Sequence, residues 1–221
     1  MNKIIIEAEE KLDKNILVII DDLDKVNLEK GEELFYKHGA ELTSPICRII
    51  YTIPQPLLFS NKIRQIVLQY FDGRIDLGNI NIYNRNGELD PEGCDLMKQV
   101  ALKRMDESLI SKDALNLAVK YSAGVMTEFI RIIRSAGNIA DTDGRRSIEL
   151  SDVEQAIADT KNDYIRILNP QDIEILKEVM KTKGKVGGEK FQDLLFSLAI
   201  LEYSNGEAWY DIHPAIKRII K

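Results

Sequence analysis

Five apolar residues in unbroken succession, Ile16-Leu17-Val18-Ile19-Ile20, run straight into Asp21-Asp22-Leu23-Asp24. A continuous, mostly β-branched run is the pattern of a strand buried on both faces, as in a parallel sheet. Ending such a strand in adjacent carboxylates is costly unless the acids find a partner. At the C-terminal edge of a parallel sheet a crevice opens, and the usual partner there is a ligand. The plainer alternative is that the acids cap the next helix or end the strand in water. A second run, Cys47-Arg48-Ile49-Ile50-Tyr51-Thr52-Ile53, stopped by Pro54, tilts the choice toward a ligand-binding edge with Thr52 at its end.

Around these strands the chain reads as helices. Residues 3–13, 28–39 (ending at Gly39) and 60–71 carry helical patterning, and Ile80–Tyr83 reads as a weak third strand closed by Asn86-Gly87. From about Asp95 the period becomes that of helices. One covers 95–107. A second is capped by Ser111 and ends near Gly124, and a third spans 126–140. A fourth opens with the pair Ser151 and Glu154, spaced as a capping box, and runs to Leu168. Asn169-Pro170 starts another, with proline at the first helical position. The helix 189–199 then leads to a hairpin over Leu201–Ile212 with Asn205-Gly206 at its tip.

Composition narrows the function classes. Hydrophobic content of 44% and charged content of 30% are those of an ordinary globular chain. A net charge of −6 disfavours non-specific adhesion to nucleic acid or anionic membranes. Cys47, Cys94, His38 and His213 lie far apart and form no zinc-binding spacing. No signal peptide is visible and no stretch approaches the ~20 apolar residues of a membrane span. The expected setting is cytoplasmic, without a membrane partner.

The motifs resemble, in order, the later part of an AAA+ or signal-transduction P-loop ATPase. VIIDDLDK is similar to the Walker B segment, RIIYTIP to the sensor 1 strand and INIY to the last core strand. YSAGVMTEFIRIIRSAGNIA resembles the lid, and NPQDIEIL with LEYSNGEAWYDIHPAI resembles a winged helix behind it. The resemblance implies an α/β remnant of a parallel P-loop sheet, then an all-α lid and a winged-helix domain, mostly helical overall. It implies domains at 1–95, 96–168 and 169–221. It implies that Asp21 orients Mg²⁺ and contributes with Asp24 and Arg131 to ATP binding, while Asp22 polarises the attacking water and Thr52 faces the γ-phosphate.

Departures from the family pattern matter equally. No GxxxxGK[ST] occurs; the one Gly-Lys is Gly184-Lys185, followed by Val186. The phosphate-cradling loop is therefore missing from these residues. The chain is expected to be a fragment, or one half of a split ATPase, that turns over ATP only when a P-loop comes from elsewhere. Thr127 stands where many relatives carry the sensor 2 arginine, with Arg131 and Arg134 further along the helix, and Asp22 stands where many have Glu. Arg104 is expected to serve the surface. The alternative function is a non-catalytic winged-helix module holding a protein or DNA partner. DNA is not favoured. Residues 170–221 carry eight Lys/Arg against eight Asp/Glu, and the second helix, EKFQDLLFSLAI, offers few base-reading side chains. Without the P-loop strand, the strand edges at 47–53 and 79–83 lack a neighbour. Either 79–83 pairs directly with 47–53, or, as expected here, the chain associates with a protein partner or with a second copy of itself.

Overall fold

The structure is a computed structural model that describes residues 2–204 and 206–220. Its contacts fall into two units that divide between Asp76 and Leu77.

The first unit begins with α1 (Asn2–Leu12), which buries only Ile5, and β1 (Leu17–Ile20). Asp22 then adopts a left-handed conformation, φ 66°, which aspartate tolerates better than most residues. That breaks the strand and turns the chain into a 3-10 turn, Leu23–Lys25. The crossover that a parallel pair requires follows. It consists of α2 (Leu28–Glu32), a π-helical turn (Glu33–Lys37) and α3 (Gly39–Leu42). Asn27 caps α2 by accepting from the Lys30 N–H at 2.8 Å. Gly39 thus opens a helix, where the sequence suggested that it ends one. β2 (Arg48–Tyr51) pairs parallel with β1 in the register Leu17↔Arg48 to Ile20↔Tyr51. A 3-10 turn (Gln55–Phe59) and α4 (Asn61–Tyr70) complete the unit.

The core of this unit is thin: Phe35, Leu57 and Ile63, with Tyr51, Ile53 and Phe71 around them. Tyr51 meets Phe35 and Phe71 edge-on at 6.3 and 6.2 Å. The Tyr51 face of the sheet is therefore partly covered, with Ile20 beside Tyr51 still 37% exposed, whereas Leu17, Ile19 and Ile50 on the opposite face stand at half exposure or more. The expectation of a strand buried on both faces is corrected: among the described residues the two-stranded sheet is partly covered on one side and bare on the other. The third strand is not formed either, and 79–83 does not pair beside β2. Ile80 donates instead to the Gly124 carbonyl at 3.1 Å, and Tyr83 makes a single bridge to Leu89. These backbone groups find their partners inside the second unit. Asn86-Gly87 turns the chain as expected, with Gly87 at φ +85°.

The second unit comprises α5 (Pro91–Leu102), α6 (Lys112–Ser122), α7 (Met126–Thr142) and α8 (Leu150–Ile167) around Met97, Ala114, Ala118, Phe129, Ala136 and Val153. Ser111 caps α6 as the sequence indicated. The cap of α8 lies two residues earlier than expected: Glu149, not Ser151, is the cap, and Asp152 accepts from the Glu149 N–H at 2.8 Å. Then come α9 (Pro170–Thr182), capped by Asn169, α10 (Glu189–Phe196), and a hairpin of β3 (Ile200–Ser204) with β4 (Ala208–Ile212). Asn205 of the expected turn lies outside the described residues. A final short helix, α11 (Pro214–Lys217), packs on α8 and α6. Tyr203 stacks on Trp209 at 4.4 Å and donates to the Ala123 carbonyl at 2.7 Å. Such ties hold the hairpin and the helices in one unit.

Candidate functional site

Parallel pairing of β1 and β2 in this register brings their C-terminal ends side by side. The ladder extends one residue further, with the Thr52 N–H donating to the Ile20 carbonyl at 3.2 Å. Thr52 Oγ1 then accepts from the Leu23 and Asp24 N–H groups at 3.0 and 3.3 Å. Thr52 is thereby spent as an acceptor, and its own hydroxyl hydrogen remains to donate. Asp21 Oδ1 accepts from the Asp22 N–H at 2.8 Å. Asp21, Asp22 and Asp24 are all exposed, and one oxygen of each lies within 4.8 Å of the others. Such hard oxygen donors suit a divalent cation. Four of the five residues singled out from the sequence, Asp21, Asp22, Asp24 and Thr52, thus meet on one edge of the first unit.

Lys25 also belongs to this edge, and sequence reasoning passed over it. It pairs with Asp22, and that hydrogen bond and charge raise its pKa above the ordinary lysine value. The i, i+3 spacing of Asp22 and Lys25 was the available signal. No glycine-rich loop stands by the acids in the sequence.

Arg131 lies on α7 in the second unit, half-buried and committed to a partner. Its Nε donates to Glu128 Oε1 at 3.1 Å, and its Nη2 to Glu128 Oε2. Glu128 is 7% exposed. His213 is 1% exposed, and its Nδ1 accepts from the Ala215 N–H at 3.2 Å, which leaves Nε2 as its donor. That nitrogen stands 3.5 Å from Glu128 Oε2, an ion-pair distance longer than a well-formed hydrogen bond. Burial alone pushes the Glu128 carboxyl up, but His213 and Arg131 outweigh it and hold the group down at about 2. Thr127, Arg134 and Arg104 are exposed. A sequence pattern could flag the i, i+3 pair Glu128–Arg131, but nothing in it announces His213 as the third member.

On α10, Glu189, Asp193 and Phe196 are exposed while Phe191, Leu194 and Leu195 are buried. This second helix of the expected winged helix therefore turns carboxylates outward. Asp211 at the end of the hairpin is held between Lys183 and Lys217, at 2.7 and 2.6 Å. Those two lysines are engaged and do not form a free basic patch. Among the described residues, no helix is long and apolar enough to cross a membrane.

No protein-family model matches the chain, and no curated protein matches it. Several solved structures do. The Holliday junction branch migration motor RuvB of Thermotoga maritima is 17% identical, over 99% of this chain and 74% of that one, with a TM-score of 0.46. The Aeropyrum pernix ORC1 protein in complex with DNA is 14% identical over 97% of this chain and 66% of that one, with a TM-score of 0.47. The A. pernix ORC2 protein, in ADPNP and ADP complexes, is 14% identical over 98% and 66%, with a TM-score of 0.44. Likeness at this level concerns the general course of the chain and assigns no residue a task.

Proposed function

We propose that the chain supplies the Walker B and sensor 1 half of an AAA+-type ATP site, with a helical lid and a winged helix behind it, and that it needs a P-loop from elsewhere to bind and hydrolyse ATP. One observation carries this reading: the parallel register that sets Thr52 against Leu23 and Asp24 and so gathers Asp21, Asp22, Asp24 and Thr52 on a single strand edge. Asp21 would hold the water shell of Mg²⁺, with Asp24 beside it. Asp22 would orient and polarise the attacking water, once Lys25 releases it. Thr52 would donate its hydroxyl hydrogen toward the γ-phosphate. Arg131 could serve nucleotide only by leaving Glu128. The metal would supply charge neutralisation of the phosphates. By itself the chain is expected to show no ATP turnover above background.

The test uses Mn²⁺ as a paramagnetic stand-in for Mg²⁺ on the intact chain. Selective broadening of the amide signals of residues 21–24 and 52, abolished by Asp21→Ala, is the expected result. Broadening that ignores these amides would overturn the site. Micromolar Mg-ATP affinity of the isolated chain, lost in Asp21→Ala, would overturn the need for an outside P-loop.

A second reading is favoured by α10. Its exposed Glu189, Asp193 and Phe196 suit a basic, apolar protein surface better than a phosphate backbone. In that reading the last helices and hairpin are a non-catalytic winged-helix module holding a protein. Tight duplex binding with a steep salt dependence would exclude it.

A further inference from the structure

In the second unit, Leu89 and the first half of α5 border the last half of α6 around an open cleft of about 240 Å³. Leu89, Pro91 and Val119 form its apolar wall, with Cys94 beside them. Lys98, Asn116 and Lys120 supply the rest of the lining. Neither lysine has a carboxylate partner among the described residues, and the Asn116 amide makes no hydrogen bond among them. Acids are not lacking, since the chain holds 36 Asp and Glu against 30 Lys and Arg. Those close by in sequence are turned to other donors. Glu88 accepts from the Asn84 amide at 2.8 Å and Asp95 from the Gln99 amide at 2.6 Å. Asp90 accepts from the Glu92 and Gly93 N–H groups at 2.9 and 3.3 Å. Both ammonium charges are felt within the cleft. Burial pushes the Cys94 thiol up, and Lys98 and Lys120 each oppose that shift while Asp90 adds to it.

Two open cations beside an apolar wall suit an anion with an apolar body. The cleft is larger than a benzene-sized cavity of ~150 Å³ and smaller than the ~300 Å³ at which drug-sized pockets begin, so its ligand is small. The Glu92 and Gly93 N–H groups already serve Asp90, so the start of α5 offers no backbone nest to a phosphate. A single carboxylate, shared by two ammonium groups, is the anion that fits. We propose that this cleft binds a small amphipathic carboxylate, its apolar body against Leu89, Pro91 and Val119 and its carboxylate between Lys98 and Lys120, with the Asn116 amide as a further donor. The cleft lies wholly in the second unit and requires nothing of the acidic edge at residues 21–24.

Cys94 reports on the cleft directly. The intact chain is alkylated with neutral iodoacetamide, and the modification of Cys94 and Cys47 is followed by peptide mass spectrometry. The probe is 3-phenylpropionate, with equal sodium chloride as the reference, and each rate is read as a ratio within one variant. Cys94 alkylation should slow about threefold at ~10 mM probe, for the millimolar affinity of so small a ligand. Cys47, in the first unit, should not change. The uncharged 3-phenylpropionamide should protect far less. The double substitution Lys98→Gln with Lys120→Gln keeps the side-chain stems, so circular dichroism should show it folded, and it should abolish the protection. Unslowed Cys94 alkylation overturns the proposal. So does equal slowing of Cys47, equal protection by the amide, or protection that survives the double substitution.

Discussion

Glu128 shows how a single buried charge can govern pH behaviour. Its carboxyl sits near 2 in the fold against an ordinary value near 4.5. A depressed carboxyl stabilises the fold at pH values above its unfolded value, and that contribution is lost as pH falls through the folded value. The second unit should therefore lose on the order of 3 kcal/mol of stability between about pH 4.5 and pH 2 from this group. Urea titrations across that window should show a steep acid limb, and Glu128→Gln should flatten it. A wild-type curve already flat there would contradict the buried pairing. Asp152 makes a parallel case at the start of α8. It is 1% exposed, accepts two bonds from Arg145 at 2.6 Å each, and accepts from the Glu149 N–H. Asp152→Ala leaves the helix start uncapped and Arg145 with only the exposed Asp143 as partner, and should cost about 3 kcal/mol in urea unfolding.

Among the elements, the segment 79–83 is informative because it is extended without being a strand. Asn79 and Asn81 donate from their side chains to the Glu202 and Ser204 carbonyls of β3, at 3.1 and 3.0 Å. These bonds occupy a hairpin edge that would otherwise be open. The backbone here passes so close to the helices that only glycine fits beneath it. A Cβ on Gly124, already at φ +80°, would lie 1.8 Å from the Ile80 carbonyl oxygen, and one on Gly93 would lie 2.1 Å from that of Asn81. Gly124→Ala should lift the segment, destabilise the second unit by more than about 1 kcal/mol, and speed hydrogen exchange at the Ile80 amide. Unchanged protection of that amide would show that the close approach is dispensable. Alternation of apolar and polar residues in INIY suggested a strand, but alternation records only which side chains face inward. It does not say which backbone will answer.

At the scale of the molecule, the two units differ in how well they are filled. The first rests on Phe35, Leu57 and Ile63, whereas four helices of the second close around Met97, Phe129, Ala136 and their neighbours. Local opening free energy follows buried apolar contact. Heating should therefore melt residues up to Asp76 before the rest, with amide protection in β1 and β2 lost well before that in α6 to α8.

Local chemistry alone settled much of this molecule. The β-branched runs at 16–20 and 47–53 had to be strands, and a parallel pair had to carry helices between them. Ser111 and Asn169-Pro170 had to start helices, because their side chains and ring satisfy or omit the first free N–H groups. The acids at 21, 22 and 24 had to stand at a strand end. What local chemistry could not settle is whatever depends on a second surface arriving from far along the chain. Ile16–Ile20 carries the pattern of a doubly covered strand, yet its second cover is absent from the unit. Arg131 carries a charge free in the sequence to pair with any acid, yet Glu128 on its own helix takes it, and His213, 85 residues from Glu128, closes on the same carboxylate. A side chain's residue type fixes what it can bond to; only the packed chain decides which of the competing partners is near enough to be the one it bonds.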